Sequence, residues 1–221
     1  MSKQHDMRAW IVGSSHIGHI EKHLKGKQNP WGFNPHEGFQ VDFLPISGGK
    51  TKGIMKKVVD WGPMAYDVCF IQAGGNDIAD KTFSQKTDLK TVAQVVAEDL
   101  WTLALKCKIH VKPNGLVIIG KLIQRWITPR HLKKGIKSEG HAKRHNQVTH
   151  MVNKLLNQRS KAHPPIIFYR TSGIEMGFRD KLKDGTHFTD AFMPHYRQGV
   201  KDALFLGIGR KSEYFFIQIV V

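Results

Sequence analysis

Four short stretches hold the side chains best suited to chemistry. Gly13-Ser14-Ser15-His16 offers two hydroxyls beside an imidazole, and Ser47-Gly48-Gly49-Lys50-Thr51 is a glycine-rich turn. Gly74-Gly75-Asn76-Asp77 sets an amide next to a carboxylate, and Asp184-Gly185-Thr186-His187 places a carboxylate three residues before an imidazole. A serine hydroxyl is a weak nucleophile until a base takes its proton, and His187 is the residue offered for that task. On a tight turn, the spacing from Asp184 to His187 can bring the carboxylate to the other ring nitrogen, fixing the tautomer and stabilising imidazolium. Each stretch alone also has a plain reading: Ser15 caps a helix, Gly49 and Asn76 serve turns, and 184–187 enters a helix.

Something must bring these stretches together, and the apolar pattern says what. Ala9 to Val12 is a buried-strand run that stops at Gly13, and a helix-like segment runs from Ile17 to Leu24. Gly26 to Gly38 is dense in turn formers and reads as loop. Phe39 to Leu44 is a second strand, Thr51 to Asp60 a helix, and Tyr66 to Ala73 a continuous apolar run typical of a central parallel strand. Apolar residues at 89, 92, 96, 100, 103 and 107 make Asp88 to Cys107 a helix. Leu116 to Ile119 is the fourth strand, Gln124 to Gly140 an excursion, and Gly140 to Lys161 a long helix. Ile166 to Tyr169 is the fifth strand, and a last helix runs from Asp190 to about Leu206.

Five strands alternating with helices predict a three-layer α/β/α sandwich on a five-stranded parallel sheet, flavodoxin-like, with right-handed crossovers. No repeat or Gly/Ser-rich linker divides the chain, so residues 1–206 read as one domain, with an unplaced apolar tail at 207–221. The glycine-rich turns close the first three strands. In an open parallel sheet that edge is where ligands bind.

Four such blocks in this order resemble the SGNH, or GDSL-like, hydrolase superfamily, whose blocks supply a serine, a glycine, an asparagine and a D-x-x-H pair. The resemblance covers residues 8–206. It implies a serine ester hydrolase of the esterase, lipase or acetylesterase kind, working through an acyl-enzyme without metal or organic cofactor on a small-molecule or lipid ester. It maps the nucleophile to Ser15, the base to His187 and its carboxylate partner to Asp184. The oxyanion donors it implies are the Ser15 N–H, the Gly49 N–H and the Asn76 side-chain amide, each worth on the order of 3 kcal/mol of barrier. Ser14 stands where the family usually has aspartate, which alters the hydrogen bonding of the turn. His16 is given no necessary role. The run from Asn146 through P-P-I-I-F-Y-R to D-G-T-H-F-T also looks like the esterase-like domains of animal retrotransposon proteins. The loop residues Trp31, Phe33, Trp126 and Ile127 are candidates to line an acyl pocket, although two aromatics in the 26–38 loop more commonly pin it to the core.

Competing motifs are weaker. Gly13 to Gly18 lacks dinucleotide-fingerprint spacing, and no G-x-x-x-x-G-K-[ST] occurs. His141 and His145 share a helix face within reach of His131 or His150. Without a cysteine or acidic ligand at motif spacing they read as exposed histidines of a basic helix rather than zinc ligands. Cys69 lies in an apolar strand and reads as inert core.

Composition adds a separate expectation. At 40% hydrophobic and 24% charged, the 221 residues form an ordinary globular chain, but 34 Lys+Arg against 18 Asp+Glu leave a net charge of +16. Fourteen of the basic residues, against the single acid Glu139, fall between Lys106 and Lys161. Such a region favours acidic partners, with nucleic acid first, through Lys133, Lys134, Lys143, Arg144, Lys154 and Arg159. The alternative function is therefore a catalytically idle fold that binds nucleic acid or an acidic partner. Two cysteines make no disulfide framework, and no apolar run approaches the ~20 residues needed to span a bilayer, so a cytoplasmic or nuclear location is expected.

Overall fold

The computed structural model describes residues 7–25, 31, 39–62, 64–128, 136–171, 174 and 178–209. Five strands form one sheet: β1 (Met7–Gly13), β2 (Phe39–Pro45), β3 (Tyr66–Gln72), β4 (Val111–Gly120) and β5 (Ile166–Tyr169). All pairings are parallel, in the order β2-β1-β3-β4-β5. Side chains alternate across the strands, and the apolar runs are continuous because both faces are covered. Trp10, Val12, Cys69, Ile71, Val117 and Ile119 point into one core, which is closed by α2 (Thr51–Val59), α4 (Leu89–Lys108) and α5 (Glu139–Lys161). Ala9, Ile11, Val68, Phe70, Leu116 and Ile118 point into the other, closed by α1 (Ser15–Leu24) and α6 (Met193–Gly209). The three-layer α/β/α sandwich expected from the pattern is the observed architecture.

The differences from the expected elements have local causes. Helix α1 begins at Ser15 itself, two residues earlier than the apolar spacing suggests: Ser14 is extended and makes no side-chain cap, and its carbonyl accepts the first helical bond, from Ile17 N at 3.0 Å. A short helix, α3 (Gly75–Lys81), was not expected; its seven residues are too few to show a periodicity. Strand β4 starts at Val111, since Tyr66 pairs with Val111 ahead of the apolar run before the register shifts. Helix α6 continues through Gly209, past the boundary drawn at 206. Residues 210–221 lie outside the described residues, as do Phe33, His131, Lys133 and Lys134.

The chain winds outward in opposite directions from β1, to β2 on one side and β3 on the other. The carboxyl ends of these strands therefore face a common crevice, the switch point where open parallel sheets bind ligands.

Candidate active site

Gly13 ends β1 and is pinched between its neighbours: its carbonyl accepts from Ile46 N at 2.8 Å, and Ser14 N donates to Gln72 O at 3.0 Å. A Cβ on Gly13 would lie 2.2 Å from Gln72 O, so only glycine lets the strands approach this closely. The chain then turns directly into α1 with Ser15 at its first helical position. There the backbone N–H has no intrahelical acceptor and the helix dipole is positive.

The base and its partner come from a loop closed upon itself. Leu182 and Phe188 form an isolated antiparallel bridge, Lys183 N donates to His187 O at 2.9 Å, and Gly185 turns the chain with φ 75°. Inside this loop Asp184 Oδ1 accepts from Thr186 N at 3.0 Å and His187 N at 2.7 Å, leaving Oδ2 for His187 Nδ1 at 2.7 Å. Partial burial opposes ionisation of Asp184. The bonds from the His187 side chain and the backbone outweigh it and hold the carboxyl well below the usual carboxylate range. An ionised carboxylate only accepts, so Nδ1 carries the proton and Nε2 is free to accept from Ser15 Oγ, 2.9 Å away. The segment after β4 secures the loop from outside: Trp126 N donates to Gly185 O at 2.9 Å and Thr128 Oγ1 to Asp184 O at 3.1 Å.

The second and third blocks meet beside one another. Ile46 to Gly49 is a turn with φ 69° at Gly48, closed by Gly49 N donating to Ile46 O at 2.9 Å. That bond occupies the Gly49 N–H that the sequence nominates as an oxyanion donor, while the Gly49 carbonyl accepts from Asn76 Nδ2 at 3.1 Å. Asp77 ties the blocks together, accepting from Thr51 N at 3.0 Å and Thr51 Oγ1 at 2.9 Å.

Three residues of this region matter beyond what the sequence assigned: His16 was given no role, and His19 and Arg125 were not singled out. His16 is buried, and its Nε2 meets Thr186 O at 2.9 Å. His19 stacks on His187 with ring centroids 4.6 Å apart and planes 3° from parallel. Arg125 is buried, and its guanidinium donates to Asn76 Oδ1 at 2.8 Å. The Ser-x-x-x-His spacing of 15 and 19 on one helix could have flagged His19. Nothing local marks Arg125, because its partner lies 49 residues away.

His141 and His145 are not the exposed histidines expected. Both are buried, with His141 Nε2 at 2.9 Å from Ala79 O and His145 Nε2 at 3.2 Å from Gly75 O, so they fasten α5 to α3. Trp31 is buried against Phe43, as a residue pinning its loop would be. Trp126 and Ile127 are half-buried beside the Asp184 loop. Cys69 and Cys107 are free and buried.

The basic region is partly spoken for. Lys108 Nζ donates to the carbonyls of Lys112, Pro113 and Gly115, Lys112 pairs with Asp67 at 2.8 Å, and Arg159 pairs with Glu98 while lying over Trp101. Arg144 is half-buried, whereas Lys143 and Lys154 are exposed. No helix among the described residues is long and apolar enough to cross a membrane.

No protein-family model matches the chain, and no curated protein matches it. Solved structures do. A GDSL-like lipase from Bacteroides thetaiotaomicron superposes with a TM-score of 0.57 at 12% identity, covering 94% of this chain and 90% of the other. A carbohydrate acetylesterase from Sinorhizobium meliloti gives 0.56 at 13%, covering 90% and 99%. A lipase/acylhydrolase from Enterococcus faecalis gives 0.55 at 13%, covering 90% and 95%. The chain is similar to these over nearly its whole length and has the GDSL-like, or SGNH, hydrolase fold.

Proposed function

We propose that this chain, on its SGNH-hydrolase fold, is a serine ester hydrolase that works through an acyl-enzyme on Ser15. The observation that carries the reading is the continuous relay Ser15 Oγ, His187 Nε2, His187 Nδ1, Asp184 Oδ2, at 2.9 Å and 2.7 Å. His187 takes the Ser15 proton as Oγ attacks the ester carbonyl, and Asp184 stabilises the imidazolium that results. The same proton then goes to the leaving alkoxide, and a water activated by His187 releases the acid.

Charge develops on the carbonyl oxygen. The Ser15 N–H, at the positive end of α1, is one donor for it. The second hydrogen on Asn76 Nδ2 is the other, since the first is held by Gly49 O. With its N–H bonded to Ile46 O, Gly49 contributes here by orienting Asn76 through its carbonyl rather than as a third donor.

The ester is a small-molecule or lipid one. The relay acts on the carboxylic ester group common to both and does not distinguish acyl chains. The test is hydrolysis of short activated esters by the folded protein, with Ser15→Ala and His187→Ala each removing nearly all turnover and the double variant little worse than either.

A second reading concerns a separate surface. Exposed Lys143, Gln147, His150, Lys154, Gln158 and Lys161 recur at helical spacing along the outer face of α5, which favours a phosphate backbone as a partner independent of Ser15.

A further inference from the structure

Arg125 is charged and buried, and among the described residues it forms no ion pair. Burial lowers its pKa to about 10, with Asp184 and Asp77 acting in the opposite direction, so it remains protonated at neutral pH. Such a group is costly to keep, and its surroundings show it is deliberately held. Asn146 on α5 grips its backbone from both sides: Asn146 Oδ1 accepts from Arg125 N at 2.8 Å, and Asn146 Nδ2 donates to Arg125 O at 2.9 Å. Two turns along α5, Asn153 grips Leu122 in the same way, at 2.8 Å and 3.1 Å. The guanidinium then lies against Gly75, where a Cβ would come within 2.9 Å of it. Its donor meets Asn76 Oδ1 at 2.8 Å.

An amide has two ends of similar shape and opposite hydrogen-bonding sense. With a cation on Oδ1, the NH2 end of Asn76 must face Gly49 O, and the flipped amide would set NH2 against guanidinium. A charge-assisted bond to Oδ1 also withdraws electron density from the amide, making its N–H a stronger donor.

Resting on the esterase reading above, we infer that Arg125 is a positioning residue that locks and polarises the Asn76 amide as an oxyanion donor. It delivers a buried positive charge to the transition state through the asparagine, without touching substrate.

The test is a double-mutant cycle on hydrolysis of p-nitrophenyl acetate with Arg125→Met, Asn76→Ala and the pair. Because Arg125 acts through Asn76, Arg125→Met should lower kcat about tenfold or more with KM within about twofold, and should cost nothing further once Asn76 is alanine. Losses that multiply in the double variant, or an unchanged kcat in Arg125→Met, overturn the inference. Arg125→Gln, which keeps a polar side chain and removes the charge, enters the same cycle with the same expectations if the methionine variant does not fold.

A second readout does not depend on turnover: the Asn76 side-chain amide resonances, identified by their loss in Asn76→Ala. They should be shifted and slow to exchange in the wild type and should move to free-amide positions in the Arg125 variant. If they do not move, the positioning role is wrong. If the wild type lacks Ser15-dependent turnover while they do move, the esterase reading fails and the positioning of Asn76 stands.

Discussion

His16 Nε2 donates to the carbonyl of Thr186 across 2.9 Å, so the residue after the serine holds the residue before the base. The ring is buried against Phe188 and Tyr196 and faces His187 at 5.5 Å. Helix α1 and the Asp184–His187 loop, 170 residues apart in sequence, are thereby fixed to one another at the point where their side chains react.

His16→Ala should therefore weaken both the fold and the reaction. Losing a buried hydrogen bond costs about 1–3 kcal/mol, seen as a lower melting temperature. Freeing the loop misplaces His187 relative to Ser15 Oγ, and kcat should fall on the order of tenfold to a hundredfold with KM little changed. His16→Ala enzyme with wild-type kcat would place the docking of the loop elsewhere.

Acid should destabilise the protein before its carboxylates titrate. Burial pushes both His16 and His145 down to about 3, with neighbouring His187 and Arg125 adding to the effect. Unfolded histidine titrates near 6.5, so between about pH 6.5 and 3 the unfolded chain binds protons that the folded chain refuses. Stability is full above that window and lost as pH falls through it, by at most about 1.4 kcal/mol per pH unit for each histidine. Urea midpoints measured from pH 8 to pH 4.5 should fall steadily below neutrality; a flat series would mean that these rings are not buried neutral.

Asp184→Asn should leave a folded protein with turnover lowered on the order of 10⁴-fold, because an amide opposite Nδ1 no longer enforces the tautomer that frees Nε2. The carboxyl of Asp184 is held well below the usual range, so in the wild type it is ionised and accepts from Nδ1. Turnover in a folded Asp184→Asn protein equal to that of the wild type would remove Asp184 from the relay.

The sheet was legible because its strands are short apolar runs closed by glycine-rich turns, and the pairing of Asp184 with His187 because a carboxylate three residues before an imidazole carries its own spacing. Gly49 was legible as a turn but not as a turn whose N–H is already bonded, since that depends on Ile46 and on φ at Gly48. His141 and His145 were misread for a common reason: each lies on a helix whose polar neighbours suggest solvent, and each is buried against a carbonyl of α3, distant in sequence, at Ala79 or Gly75. His16 was given no role because the carbonyl it meets, at Thr186, lies 170 residues away. The basic count was likewise correct in sum and misleading in place, for Lys108, Lys112, Arg125 and Arg159 are used internally.

The outer face of α5 should bind oligonucleotides with little sequence preference and steep salt dependence, because phosphate contacts release counterions. Charge reversal at Lys143 and Lys154 should weaken that binding while ester hydrolysis persists, and Ser15→Ala should leave it intact. Fluorescence anisotropy across a salt series reads this directly, and absence of binding at low salt would remove the nucleic-acid reading.

The most direct test of the central claim is covalent. A fluorophosphonate probe, which needs an activated serine and not a matched acyl chain, should add one label per chain, located at Ser15 by peptide mass. Labelling should be lost in Ser15→Ala and largely lost in His187→Ala, with both variants folded. No label on the folded wild type, or a label that persists in Ser15→Ala, would contradict the assignment of Ser15 as the nucleophile.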